Sequence, residues 1–137
     1  MARLVQLSEG SSRNVYDLGE TVLKKPKNKR GRIECENEAW LYEHIEADYR
    51  HFLCPVLGTE GSGIVMTKAI PLSEKQSLED LKQQDDSLDA FITYLIQTYE
   101  LDDFDLSCAF NWGWIDEQLV LLDYGHRYFE DAFTDEF

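Results

Sequence analysis

Near the end of the 137-residue chain, two apolar runs flank a short polar turn in the segment Asn111-Trp112-Gly113-Trp114-Ile115-Asp116-Glu117-Gln118-Leu119-Val120-Leu121-Leu122-Asp123-Tyr124-Gly125. The pattern predicts a β-hairpin, and a hairpin brings its two ends together. Asn111 and Asp123 would then face one site. Because an amide oxygen and a carboxylate are hard oxygen ligands, the pair predicts a site for a magnesium ion that carries phosphates.

The same two ends also have a purely structural explanation. Asn111-Trp112-Gly113 and Asp123-Tyr124-Gly125 are each compatible with an ordinary turn, and polar residues at strand ends are common. The hairpin alone therefore leaves both interpretations open, and the rest of the chain has to distinguish them.

Composition predicts one compact domain, residues 1–137. The chain is 43% hydrophobic, which is enough for a single core, and it has no apolar run long enough to span a bilayer. The start, Met1-Ala2-Arg3-Leu4, lacks the apolar block of a signal peptide, so we expect a cytoplasmic protein without membrane contact. Cys35, Cys54 and Cys108 lack the spacing of a zinc site or a disulfide framework.

The net charge of -14 is concentrated in the second half of the chain. Residues 1–68 contain 10 basic and 10 acidic side chains, whereas residues 69–137 contain 3 basic and 17 acidic ones. Such a field repels nucleic acid and anionic membranes. It favours a basic protein as a partner, if the acidic half binds one.

The N-terminal residues predict a five-stranded antiparallel sheet with one helix, which makes residues 1–68 a β-rich lobe. The helical period extends over about Ile33–Ala47, with apolar groups on one face. The predicted strands are Leu4–Leu7, Asn14–Leu18, Thr21–Lys24, His51–Leu57 and Ser62–Thr67.

Residues 69–137 predict a smaller, acidic helical lobe that ends with the hairpin. Ser77-Leu78-Glu79-Asp80 carries a capping signal for a short helix. A longer helix follows, because apolar residues recur from Leu88 to Tyr99 at helical spacing. The predicted fold class is therefore α+β.

The order of these parts resembles the protein-kinase-like fold over nearly all of residues 3–125, as in a compact, C-terminally truncated kinase or pseudokinase. The matching parts are a loop with Gly10-Ser11-Ser12, the strand lysine in Val22-Leu23-Lys24, Glu38 on the helix, Asn111, and Asp123-Tyr124-Gly125. The resemblance implies ATP and magnesium as cofactors, with Asn111 and Asp123 as metal ligands.

The resemblance also assigns roles on the nucleotide side. Gly10, Ser11 and Ser12 would bond phosphate oxygens, and Lys24 would meet the inner phosphates. The connector after the fifth strand would bind adenine through backbone groups, which points to Thr67 and Ala69.

Glu38 is the predicted carboxylate partner of Lys24. It shares a helix face with apolar residues that turn inward, whereas Glu34 and Glu36 remain rivals that could equally form a solvated face. A plain surface glutamate is the alternative for Glu38 itself.

The catalytic loop departs from the family pattern. Where the family has an aspartate five positions before the metal-binding asparagine, this chain has Leu106, and the nearest carboxylate is Asp105. Asp105 could act as a displaced base if the loop bulges by one residue, and the alternative is that no base exists. Asp102 and Asp103 are predicted to be exposed acids of the general surface.

A second departure is the short sequence after the Asp-Tyr-Gly motif. Only His126–Phe137 follow in this sequence, so we expect a domain without the activation segment and peptide-binding helices of protein kinases. His126 follows Gly125 and could approach the phosphate site. The tail Tyr128–Phe137 alternates aromatic and acidic residues, which predicts a cover over the core, a partner contact or a packed short helix.

Three functions follow from these features. The first is a minimal kinase-like protein that binds ATP with magnesium and has weak or unusual phosphotransferase activity. The second is an inactive pseudokinase that acts as an acidic protein-binding or inhibitory module. The third and least supported is an acidic protein that mimics nucleic acid.

Overall fold

The computed structural model describes residues 5–73, 75–127 and 132–133, and within them the chain is an α+β protein with two sheets. The helices are α1 (Lys29–His44), α2 (Leu78–Gln84), α3 (Asp86–Tyr99) and α4 (Asp103–Ser107), with short 3-10 turns at Arg50–Phe52 and Ala109–Asn111. The strands are β1 (Val5–Glu9), β2 (Arg13–Asp17), β3 (Thr21–Pro26), β4 (Val56–Glu60), β5 (Gly63–Thr67), β6 (Ile70–Pro71), β7 (Trp112–Ile115) and β8 (Gln118–Leu121).

The first sheet is five-stranded and antiparallel, as predicted, with the order β1-β2-β3-β5-β4. Gly19 sits in the turn between β2 and β3 with φ of +102°, a conformation that glycine adopts without steric cost. The predicted fourth strand began too early. Arg50–Phe52 forms a 3-10 turn instead, and β4 starts only at Val56, after Pro55.

Helix α1 begins at Lys29, four residues before the predicted start, because Asn28 caps it. The Asn28 side chain accepts a hydrogen bond from the Gly31 backbone N–H at 2.9 Å, which satisfies one of the free donors of the first turn. The helix ends at His44, so the predicted extension to Ala47 was too long.

Helices α2 and α3 agree with the sequence pattern, whereas α4 was not predicted. The Ser77 hydroxyl accepts a hydrogen bond from the Asp80 N–H at 3.4 Å, so Ser77 is the predicted N-cap of α2. Helix α3 packs its apolar stripe inward, and the buried members are Leu88, Phe91, Ile92, Leu95 and Tyr99.

The second sheet contains the predicted hairpin and one strand that was not predicted. Strands β7 and β8 pair antiparallel, and Asp116 turns the chain with φ of +54°. Strand β6 pairs with β7 through Ile70 and Trp114, at the point where Gly113 has no room for a side chain. A Cβ on Gly113 would lie 2.7 Å from the Ile70 carbonyl oxygen.

One hydrophobic core connects α1, both sheets and α3, with Leu41, Phe91, Trp112 and Tyr124 almost fully buried. Of the aromatic and acidic tail, only Ala132 and Phe133 lie within the described residues. Phe133 is buried and its ring stacks on Trp40 at 4.7 Å, so this part of the tail covers the core. None of the helices in the described part of the chain has both the length and the apolar character needed to cross a bilayer.

Candidate functional site

A cleft of about 840 Å³ lies between the first sheet and the C-terminal segments, and it collects the predicted site residues. Lys24 and Asp123 both line it, whereas Glu38 is fully buried and does not. The other predicted residues along its walls are Gly10, Ser11, Ser12, Thr67, Ala69, Asp105 and Asn111.

Strand alternation explains how the first sheet presents polar groups to the cleft. Because successive side chains of a strand point to opposite faces, Val22 and Lys24 of β3 share one face and Leu23 and Lys25 the other. Lys24 lines the cleft, whereas Lys25 is exposed on the opposite side of the sheet.

The Lys24 ammonium donates three hydrogen bonds at the back of the cleft. Its Nζ atom lies 3.0 Å from Glu38 Oε1, 2.8 Å from Asp123 Oδ1 and 2.6 Å from the Leu122 carbonyl oxygen. The structure thus brings Glu38, and not Glu34 or Glu36, against the strand lysine. It also brings the Asp-Tyr-Gly aspartate to the same atom from 99 positions away.

Arg13 is a further member of this cluster that sequence reasoning missed. Its guanidinium donates to both Glu38 oxygens, at 2.6 and 3.1 Å, and to Asp123 Oδ1 at 3.2 Å. A signal was available, because Arg13 precedes Val15 at the strand period of two, and both line the cleft.

Glu38 is fully buried and its hydrogen-bonding capacity is satisfied. Oε1 accepts from Arg13 and Lys24, and Oε2 accepts from Arg13 and from the Tyr124 backbone N–H at 2.9 Å. A buried carboxylate is stable only when paired in this way. Glu38 therefore fixes both cations and the start of the Tyr124-Gly125 segment.

The electrostatics of the cluster keep all four groups ionised. Burial alone would raise the pKa of Glu38, but the charges of Arg13 and Lys24 outweigh it and lower that pKa. Burial would also raise the pKa of Asp123, but the charges of Lys24 and Arg13 lower that pKa overall. On the cationic side, burial would lower the pKa of Lys24, but Asp123 and Glu38 raise it.

Asn111 and Asp123, the predicted metal ligands, both line the cleft, although Asp123 is already bonded to two cations. Asn111 Nδ2 donates to the Asp105 carbonyl oxygen at 2.9 Å, which leaves Oδ1 as its ligand atom. The Asp123 side chain is 44% exposed. An amide oxygen and a reachable carboxylate fit a hard cation such as magnesium, provided that Asp123 turns from Lys24 and Arg13.

Asp105 belongs to a second cluster that the sequence spacing did not reveal. His126 Nδ1 lies 2.5 Å from Asp105 Oδ2 and 3.7 Å from Asp102 Oδ2. The prediction that Asp102 is an exposed surface acid was wrong, because only 23% of its side chain is exposed. The Asp102 side chain caps α4 by accepting a hydrogen bond from the Phe104 N–H at 2.9 Å, and its carboxylate lies near the His126 ring.

The loop of Gly10, Ser11 and Ser12 is fastened to the start of α1. The Gly10 and Ser11 carbonyl oxygens accept from Lys27 Nζ at 3.0 Å and from Asn28 Nδ2 at 3.1 Å. The Ser12 hydroxyl donates to the Glu34 carboxylate, so it is engaged before any phosphate binds. The loop therefore lines the cleft while it is hydrogen-bonded to the start of α1.

The connector after β5 is only partly available for a ligand. The Thr67 N–H donates to the Pro55 carbonyl oxygen at 3.1 Å, and the Thr67 carbonyl oxygen accepts from the Cys54 thiol at 3.1 Å. Thr67 can therefore contact a ligand through its side chain rather than its backbone. Ala69, two residues further along the chain, also lines the cleft. Burial raises the pKa of the Cys54 thiol to about 12, so it stays protonated.

Comparison of the chain with protein-family models gave no matching family, and comparison with curated proteins gave no matching relative. The chemistry of the cleft is therefore the basis for a functional assignment. That chemistry comprises a buried lysine held by a carboxylate, an aspartate bridging to it, and an asparagine on the facing wall.

Proposed function

We propose that this chain is a minimal kinase-like domain that binds ATP with magnesium and transfers phosphate weakly or to an unusual acceptor. The observation that carries the proposal is the contact of Lys24 with both Glu38 and Asp123 inside the cleft. In kinase-type sites a lysine held by a helix glutamate meets the phosphates, and an aspartate beside it holds the metal.

The remaining residues of the cleft suit the parts of such a site. Adenine would enter beside Ala69, and the phosphates would lie between Lys24 and Asn111. Magnesium, held by Asn111 and Asp123, would neutralise charge on the phosphates. Phosphoryl transfer needs mainly positioning and charge neutralisation, which these groups supply.

Asp105 is the proposed proton acceptor. The Asn111 side chain donates to the Asp105 carbonyl oxygen at 2.9 Å, and Asp105 is one of the residues that line the cleft. In the transfer, the bond between the terminal phosphorus and its bridging oxygen breaks and ADP leaves. The acceptor hydroxyl oxygen bonds to phosphorus and gives its proton to Asp105.

Calorimetric titration with ATP and magnesium tests the binding step. We expect saturable binding in the unmodified chain and at least about tenfold weaker binding in Lys24→Met, since the phosphate loses a buried charge partner. Glu38 keeps its Arg13 partner in that variant, which favours folding. Lys25→Met is the matched control, because Lys25 is the exposed neighbour on the opposite face of β3.

Two results would reject the proposal. One is the absence of any heat and of any thermal shift with ATP and magnesium in the unmodified chain. The other is equal weakening by Lys24→Met and Lys25→Met, which would locate binding outside the cleft. Transfer itself is tested separately with ATP that is labelled in its terminal phosphate. We expect the unmodified chain to release the label from ATP and Asp105→Asn to lose this activity.

A second candidate is a pseudokinase that binds a basic protein, and the exposed aromatic groups near the catalytic loop favour it. Phe104 and Phe110 are 74% and 75% exposed, and Phe104 lies between Asp103 and Asp105 in α4. Exposed aromatic groups close to carboxylates fit a cationic peptide. Salt-sensitive capture of a Lys-rich peptide, lost in Phe104→Ser with Phe110→Ser, would support this function over phosphotransfer.

A further inference from the structure

The charge cluster at the back of the cleft contains two cations, although a kinase-type site needs only one. Arg13 and Lys24 face Glu38 and Asp123, so the cluster is neutral before a ligand binds. Both cations line the cleft, and both are nearly buried, with 8% and 6% of their side chains exposed. Cations that have lost most of their water bind phosphate oxygens strongly.

Arg13 changes what Lys24 is free to do. With the two Arg13 bonds and the Tyr124 N–H, Glu38 keeps three hydrogen bonds even if Lys24 leaves it. A buried glutamate whose only cation was the lysine could not release it without a large cost. Here the lysine can move its bonds to a ligand while Glu38 stays paired.

Asp123 is the carboxylate that a ligand would compete with. Its Oδ1 atom accepts from Lys24 at 2.8 Å and from Arg13 at 3.2 Å, and Lys24 and Arg13 both repel an incoming divalent cation. Unlike Glu38, Asp123 is partly exposed, at 44%, so it can turn toward solvent. An anionic oxygen that replaces Asp123 Oδ1 would accept hydrogen bonds from both Lys24 and Arg13.

We propose that Arg13 and Lys24 form a binding site for the polyphosphate of a nucleotide that does not require magnesium, with Asp123 as the carboxylate that the phosphate replaces. This inference rests on the proposed function and adds a second mode of binding at the same site. Arg13 can hold both Glu38 oxygens and still donate the Nη2 hydrogen that Asp123 now accepts to a phosphate oxygen, which a lysine with one nitrogen cannot match. Magnesium then strengthens binding but is not needed for it.

The test is calorimetric titration of ATP and of inorganic tripolyphosphate, each in EDTA and in excess magnesium. We expect the unmodified chain to bind both anions in EDTA. Asp123→Asn should bind them about tenfold tighter in EDTA, because a competing negative charge is removed. In excess magnesium, the same variant should lose most of the affinity that the metal adds in the unmodified chain. We therefore expect Asp123→Asn to bind more tightly than the unmodified chain in EDTA and more weakly in magnesium.

Arg13→Lys and Lys25→Gln complete the set. Arg13→Lys keeps the buried charge but cannot hold both Glu38 oxygens and donate to a phosphate oxygen at once, so we expect about tenfold weaker binding in EDTA with a normal unfolding transition. Lys25→Gln removes an exposed charge from the other face of β3 and should change nothing. If Arg13→Lys does not fold, the sign of the Asp123→Asn effect still decides the question.

The outcomes separate the two proposals. Binding that requires magnesium, or an Asp123→Asn variant that binds more weakly in EDTA, overturns the metal-independent mode and leaves the proposed function standing. Failure of ATP to bind under both conditions removes the proposed function. Binding of tripolyphosphate in EDTA without any preference for ATP would keep the anion site and reject the nucleotide.

Discussion

The N-terminal wall of the cleft holds its charges in matched and buried pairs, whereas the C-terminal wall carries acids that are half-buried or exposed. On the first wall, Arg13, Lys24 and Glu38 are at least nine-tenths buried and bonded to one another. On the second, Asp105 and Asp102 keep 34% and 23% of their side chains exposed near His126. The same chemical groups therefore contribute to folding on one wall and mainly to the surface field on the other.

The largest expected effect follows from removing Glu38. Glu38→Ala leaves Arg13 and Lys24 buried without their shared carboxylate, and uncompensated buried charge costs about 3–5 kcal/mol of unfolding free energy. Urea denaturation followed by tryptophan fluorescence measures it. Glu36→Ala is the matched control, since Glu36 is exposed on the same helix, and its change should stay within about 0.5 kcal/mol.

A loss similar to the Glu36→Ala value would contradict the difference drawn between the two walls. It would mean that water or Asp123 replaces Glu38 as the counter-charge at little cost. The cluster would then hold its charges only loosely, and the N-terminal wall would resemble the C-terminal one.

The second effect concerns the connection that the two walls make by contact, where Tyr124-Gly125-His126 packs against α1. A Cβ on Gly125 would lie 2.1 Å from the Glu34 carbonyl oxygen, which belongs to the backbone of α1 and cannot turn away. Gly125→Ala should therefore cost about 3 kcal/mol, at the upper end of overpacking effects, because the connection must shift. Thermal unfolding measures it.

Gly58→Ala is the control for this substitution. Gly58 lies in β4 with open space where a Cβ would be, so alanine should be tolerated there. Equal melting temperatures for the two variants would show that the connection is loosely packed, and that His126 does not hold a fixed place beside Asp105.

Local patterns predicted the first sheet, the helix α3 and the hairpin because the apolar residues of each recur with a period of two or of 3.6 residues. Lys24, Glu38, Asn111 and Asp123 could be selected in the same way, since each stands at the end of an apolar pattern or on its inner face. The contacts of Lys24 with Glu38 and Asp123 span up to 99 positions, and their prediction required the resemblance to a known arrangement.

What escaped prediction depends on contacts that leave no local period. Strand β6 has two residues, one of them Pro71, and exists only because Gly113 lets β7 approach. Arg13 begins β2 directly after a polar loop, so a buried ion-pair role has no sequence signal beyond its spacing from Val15. The joining of Asp102, Asp105 and His126 depends on where α4 packs.

A third, smaller effect is the pH dependence of stability. The folded-state pKa values of Glu38 and Asp123 are below their ordinary values of 4.5 and 3.8, because two cations favour the ionised carboxylates over the burial that opposes them. This stability is therefore fully present above those ordinary values and is lost as the pH falls through the lower folded-state pKa values. Urea titrations between neutral pH and acid should show a steeper fall in the unmodified chain than in Glu38→Gln. Equal slopes would assign the acid sensitivity to other carboxylates.

The smallest effect belongs to the C-terminal wall, where Asp102 caps α4. Asp102→Ala removes the side chain that accepts from the Phe104 N–H, and loss of such a cap costs about 1 kcal/mol. Asp102→Asn keeps a capping oxygen but not the charge near His126, so the difference between the two variants measures the cap alone. Both should stay far below the Glu38→Ala loss, because the groups left behind on this wall can reach water. A loss of several kcal/mol in Asp102→Asn would mean that the charge near His126 is as tightly paired as the Arg13 cluster, and the two walls would then be built alike.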